Sequence, residues 1–117
     1  MDTSETIVIN TSTFPMFIRK SPSIGCLLGY IAVPPGHPWH GLGYDFISAS
    51  VHGGLTYADT AKRFGEEAPQ GLWVLGFDCG HAGDEMPTLG IRGILRDQNY
   101  VRDELDSLHE QAVAAAS

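Results

Sequence analysis

Two short glycine-flanked segments hold most of the side chains able to do chemistry: Val51-His52-Gly53-Gly54-Leu55-Thr56 and Phe77-Asp78-Cys79-Gly80-His81-Ala82-Gly83-Asp84. Imidazoles beside carboxylates are the materials of general acid–base catalysis. In a small hydrolytic enzyme, His52 or His81 would be the base, and Asp78 or Asp84 would orient it or hold a metal. His52, Cys79 and His81 also offer the nitrogen and sulfur ligands that zinc takes, with Asp84 or water as a fourth. The spacing carries neither C-x-x-C nor H-E-x-x-H. A nucleophilic Cys79 would need a depressed pKa. Asp78 beside it favours the thiol, so a small buried cysteine at the end of a core strand is the better reading.

The bland readings stand beside these. Asp78 continues the face of Leu72, Val74 and Gly76, and a carboxylate in such a place must be hydrogen-bonded. It is either a ligand-binding or catalytic acid, or a cap on the backbone N–H groups of the Gly80–Gly83 loop. His52 and His81 are either site residues or satisfied structural histidines. His37 and His40 bracket Pro38-Trp39, as a wall over a small ligand or as a loop pinned by Trp39 on the core. Gly53 and Gly54 could offer N–H groups to an anion. The ligand-binding candidates are therefore His37, Trp39, His40, His52, Gly53, Gly54, Asp78, His81 and Asp84.

These residues need a frame. Ile7-Val8-Ile9 reads as a short strand, and Phe14 to Ile18 as an edge or irregular strand because of Pro15. Cys26 to Val33 is apolar on both alternating faces, as a central strand is. Phe46 to His52 alternates, with Ile47, Ala49 and Val51 pointing one way. Residues 58–70 read as an exposed loop with at most a helical turn. Gly71 to Asp78 is a buried strand with Trp73, Leu75 and Phe77 on one face. Residues 85–96 form a loop. From Asp97, a plausible N-cap, to about Ala115, the spacing of Val101, Leu105, Leu108 and Ala112 predicts an amphipathic helix. The expected fold is α+β: a mostly antiparallel twisted sheet of four to six short strands, covered by the C-terminal helix. If the strands ending at His52 and Asp78 pair, both reactive segments meet at one sheet edge.

Composition sets the limits. The 117 residues suit one domain, 1–117, with 1–6 and 114–117 frayed. A formal charge of −7 excludes ordinary nucleic-acid binding. The longest apolar run, 24–33, is too short to span a bilayer, and no signal peptide is visible. The expectation is a cytoplasmic protein with Cys26 and Cys79 reduced. The acidic helix face is a solvated surface or a contact for a basic partner.

The series GYIAVPPGHPWHG (29–41), DFISASVHGGLTY (45–57) and GLWVLGFDCGHAGD (71–84) resembles a family of small proteins encoded by bacteriophages and prophages. Their marks are Gly-Tyr-x-x-Val-Pro-x-Gly-His-Pro, Val-His-Gly-Gly-Leu-Thr and Gly-Phe-Asp-Cys-x-His-x-Gly-Asp. A looser match, Arg96-Asp97-x-x-Tyr100-Val101, precedes the acidic helix. The resemblance implies a phage accessory protein in the host cytoplasm. It would bind a small ligand or host protein and alter a host process, with anti-defence (anti-CRISPR-like) inhibition as one form. It carries over no catalytic role. A purely structural or interaction protein without a ligand site is the third alternative.

Overall fold

In the computed structural model, which describes residues 6–11, 13–66, 68–81 and 83–117, five strands build one antiparallel sheet. They are β1 (Ile7–Ile9), β2 (Met16–Lys20), β3 (Leu27–Val33), β4 (Tyr57–Thr60) and β5 (Trp73–Asp78), in the order β1-β2-β3-β5-β4. A short helix, α1 (Ala61–Phe64), follows β4, and α2 (Gln98–Ala116) closes the chain. The α+β architecture is the expected one, and β3 is central as its two apolar faces require. Residues 1–5 of the expected frayed start lie outside the described residues. The helix runs to Ala116, and Ser117 Oγ donates to Val113 O.

Each face of the sheet has its own apolar cluster. Val101, Leu105, Leu108 and Ala112 of α2 are buried against Met16, Ile18, Ile31, Val33, Leu75 and Phe77. On the other face Phe17, Tyr30 and Val74 pack with Ala61, Phe64 and Ala68. Two glycines make the β3–β5 contact close. Gly29 pairs with Phe77 and Tyr30 with Gly76. A Cβ on Gly29 would lie 2.6 Å from the Phe77 ring, and one on Gly76 2.4 Å from the Tyr30 ring. Each aromatic covers the bare backbone of its cross-strand glycine, so small and large residues interdigitate across the pair.

Two expectations need correction. Residues 58–70 are not simply a loop: Tyr57–Thr60 is an edge strand paired with β5, and Thr60 caps α1 by accepting from Arg63 N. Conversely, residues 47–52 are no strand. Ile47, Ala49 and Val51 do turn to the core, but their segment lies along α2. Ser50 N–H donates to Gln111 Oε1 at 2.7 Å, and Gln111 Nε2 donates back to Ser50 O at 2.7 Å. A side-chain amide thus supplies the donor and acceptor that a neighbouring strand would supply. Alternation reports which way side chains point; the backbone partner is a separate matter. Gln111→Ala removes both bonds and is expected to cost about 1 to 2 kcal/mol. Faster hydrogen exchange at the Ser50 amide checks it.

Candidate functional site

The two reactive segments do converge. Gly53 and Gly54, at φ 68° and 82°, reverse the chain after His52 and lead it back to β5, where Thr56 N–H donates to Gly76 O. At the end of β5 the chain turns again: Asp84 N–H donates to His81 O at 2.9 Å, and His81 N–H donates to Asp84 Oδ2 at 3.2 Å. The first turns of α2 lie against the first of these turns, because His52 N–H donates to Glu104 Oε1 at 2.7 Å.

Asp84 is the hub. It is 2% exposed. His52 Nε2 lies 2.8 Å from its Oδ2, and Arg96 Nε lies 2.9 Å from its Oδ1. Burial pushes this carboxyl up, but the hydrogen bonds from His52, Arg96 and the His81 amide outweigh it and hold the pKa below the ordinary value. The opposite nitrogen of His52, Nδ1, lies 2.7 Å from the Tyr100 hydroxyl. Burial, then the Glu104 charge, pushes the Tyr100 phenol up, so it keeps its proton. The network assigns a chain in which Tyr100 O–H donates to Nδ1, and Nε2–H donates to Asp84. The Arg96 guanidinium completes the cluster 4.7 Å from the Tyr100 ring centroid.

A second pair stands beside it at the surface. Asp78 Oδ1 accepts from Gly80 N–H at 2.9 Å, and Oδ2 accepts from Thr56 Oγ1 at 3.0 Å. This is the capping arrangement, and at 29% exposure Asp78 is more open than its strand face implied. His81, 33% exposed, places Nε2 3.1 Å from Asp78 Oδ1. That nitrogen has no directed hydrogen-bond partner and is covered by the Gly53 backbone. The His52 and His81 ring centroids are 5.8 Å apart. A Cβ on Gly53 would fall 2.2 Å from His81 Nε2, at a backbone φ that L-residues resist. Gly53→Ala is therefore expected to displace the His81 ring and to cost about 1 to 3 kcal/mol. A changed His81 ring shift in the NMR spectrum, with a lowered Tm, checks this.

Other expected site residues fall elsewhere. His37 Nε2 lies 2.8 Å from Ala112 O, and His37 Nδ1 accepts from Trp39 N–H. This contact lies near the far end of α2, about 18 Å along the helix from Tyr100. His37 and Trp39 are buried and pin the loop to the core. His40 Nε2 lies 3.0 Å from Gly71 O, so it too fastens a loop. Gly54 N–H is spent on Val51 O, which removes it from an anion nest. Cys79 is fully buried; burial, then the charge of Asp84, pushes its thiol up to about 12. Both influences favour the protonated thiol over the thiolate. Among the described residues no three His, Cys, Asp or Glu side chains are grouped to hold a metal, so the set His52, Cys79 and His81 is not assembled. Cys26 and Cys79 are free thiols.

Four partners of the cluster were not candidates from sequence: Thr56, Arg96, Tyr100 and Glu104. Tyr100 had a signal, standing at the border of the helix's apolar face with Arg96 one turn before it. No protein-family model, curated protein or solved structure matches the chain. No helix among the described residues is long and apolar enough to cross a membrane.

Proposed function

We propose that this chain is a phage-type accessory binding protein that modulates a host process by gripping a partner protein, with anti-defence inhibition as one form. The carrying observation is that both ring nitrogens of His52 are engaged inside the protein, at 2.7 Å by Tyr100 and at 2.8 Å by Asp84. A general base must have a lone pair to offer to a substrate proton. In the assigned chain the Nδ1 lone pair of His52 is taken up by Tyr100 O–H, so none faces a substrate, and the residue serves instead as a brace between two loops and a helix. Residues of three family-like segments meet in this brace: His52, Asp84, and the Arg96–Tyr100 pair. That supports a shared recognition surface kept rigid from beneath.

One observation favours the enzyme alternative. Asp78 and His81 form a half-open carboxylate–imidazole pair beside the Thr56 hydroxyl. The test covers both readings. Purified protein is assayed on ester, phosphoester, glycoside and peptide substrates, with His81→Ala in parallel. In the same study, complexes formed in a bacterial host are isolated and their components identified. The binding reading expects a stoichiometric complex and no turnover that depends on His81. Turnover abolished by His81→Ala at unchanged Tm would establish the enzyme instead.

A further inference from the structure

The histidines of this chain differ in what a second ring proton would do to them. His52 can take one in place, because the Tyr100 hydroxyl that donates to its Nδ1 can rotate and accept instead. A backbone N–H cannot turn round. His37 Nδ1 accepts the Trp39 N–H at 3.0 Å, so Nε2–H is the donor to Ala112 O at 2.8 Å. His109 Nε2 accepts the Phe14 N–H at 3.3 Å. In each ring the nitrogen left to protonate is the one that already faces a fixed donor.

The two rings belong to one cluster. The Phe14 ring touches both, with centroids 5.1 Å from His37 and 5.5 Å from His109. His37 in turn meets the Trp39 ring at 5.2 Å. Through these contacts the entry to β2 and the 34–41 loop are both fastened to the last turns of α2. Phe14, His37 and Trp39 are buried, so an N–H stranded here finds little water to replace its acceptor. A proton on His109 could turn only toward Thr11 Oγ1, 3.3 Å away, whose own hydrogen goes to Phe14 O at 2.6 Å. The Phe14 N–H would still lose its acceptor.

The charged surroundings do not reverse this. Segments 7–16, 34–41 and 47–51 carry no titratable side chain besides His37 except His40, which is turned to Gly71 O. On α2 the nearby charges are Asp106 and Glu110, both exposed, and Asp106 is paired with Arg102. Among the described residues neither ring is in ion-pair contact with a carboxylate. The C-terminal end of α2 favours a cation. It acts on the Nε2 side of His37, whose bond to Ala112 O survives protonation, and does nothing for the Nδ1 side, where two donors would meet.

We propose that His37 and His109 form an acid-released clasp: when the two imidazoles become cationic, the Trp39 and Phe14 amides lose their acceptors, and the 34–41 loop and the entry to β2 lift from α2. The closed form holds fewer protons than the open one, so acid favours opening. The window is the imidazole range, about pH 7 to 5, above that in which Asp84 takes a proton. Neither ring belongs to the brace around His52, so the clasp stands apart from the binding reading.

The test follows the full chain by 15N NMR from about pH 7.5 to 5, across the imidazole range. It records the protonation of both rings and the exchange protection of the Trp39 and Phe14 amides, corrected for the intrinsic effect of pH on exchange. Protection at both amides is expected to fall by about tenfold or more as the rings become cationic, while Ile31 and Leu75 in the middle of the sheet keep theirs. His37→Asn retains an oxygen where Nδ1 stood, able to accept from the amide two residues on, and His109→Gln retains one near Nε2. Each substitution should make its own amide indifferent to pH in this window. The wild-type titration decides the matter alone if either variant fails to fold. Protection that stays constant while the rings become cationic overturns the clasp. So do rings that stay neutral throughout the window, a loss of protection spread evenly over the sheet, or a pH response at Trp39 that survives in His37→Asn.

Discussion

Asp84→Ala is expected to destabilise the fold by about 3 kcal/mol, a fall in Tm on the order of 12 °C for a chain of this size. The substitution deletes no large apolar surface. Its cost comes from what it strands: the Arg96 guanidinium, the Nε2–H of His52 and the N–H of His81, all of which donate to this one carboxylate. Removing one partner of a buried ion pair leaves the other uncompensated. Arg96 is half-buried and can swing to water, which keeps the figure near the lower end of the range for such losses. Asp84→Asn retains the shape but must point its NH2 at one of the donors, so it should recover little. Chemical denaturation with an unchanged m-value would place the loss in the folded state. A loss under about 1 kcal/mol would mean that the hub is not one.

The same carboxylate is expected to contribute to the acid limit. Its folded pKa lies below the ordinary 3.8. A depressed carboxyl contributes stability that is fully present above the unfolded value and is lost as pH falls through the folded one. Wild-type Tm should therefore drop as pH goes from about 5 to below 4. Asp84→Asn should show a shallower drop over the same window, and a slope unchanged by the substitution would assign the acid limit to other carboxylates.

Leu105→Ala is expected to cost about 3 to 4 kcal/mol. Leu105 is fully buried in the middle of α2. It faces the place where β3 has Gly29, whose missing Cβ would sit 3.2 Å from Leu105 Cγ. The leucine fills the space that the glycine leaves over the sheet. The neighbours on both sides, Gly29 backbone and Phe77, are fixed by β3–β5 pairing and cannot collapse into the cavity. Costs at fixed chemistry rise with how poorly a site collapses, so this position should exceed Val101→Ala. A urea midpoint equal to that of Val101→Ala would contradict that packing.

Much of this frame was legible in the residues. The face of Val101, Leu105, Leu108 and Ala112 follows from helical spacing, and the Asp97 cap is real, accepting from Tyr100 N–H. The two-faced apolar run of β3 marks it as central. The convergence of His52 with residues 78–84 was also readable, but the route was not. His52 does not arrive on a strand paired with β5; Gln111 and Glu104 hold its segment to α2. Such side chain–backbone bonds over 50 or more residues leave no local period. The weak β4 signal has a similar cause, because Ala58 and Asp59 are poor strand formers that tertiary pairing overrides. Asp78 and Asp84 illustrate the limit on sites. Both belong to the one glycine-containing segment 77–84, yet one is a half-open cap and the other a buried hub. The difference is made by Arg96 and Tyr100, brought in by a helix that begins only after Asp97.

The His52 imidazole reports most directly on the brace beneath the proposed recognition surface. Its ring nitrogens and their protons can be observed by 15N-edited NMR of the folded protein. If Tyr100 and Asp84 hold both nitrogens, the Nε2 proton will be visible and slow to exchange, and Asp84→Asn or Tyr100→Phe will change its shift and shorten its lifetime. A His52 ring that exchanges with solvent as fast as a free imidazole, and that ignores both substitutions, would contradict the brace and return His52 to the pool of available bases.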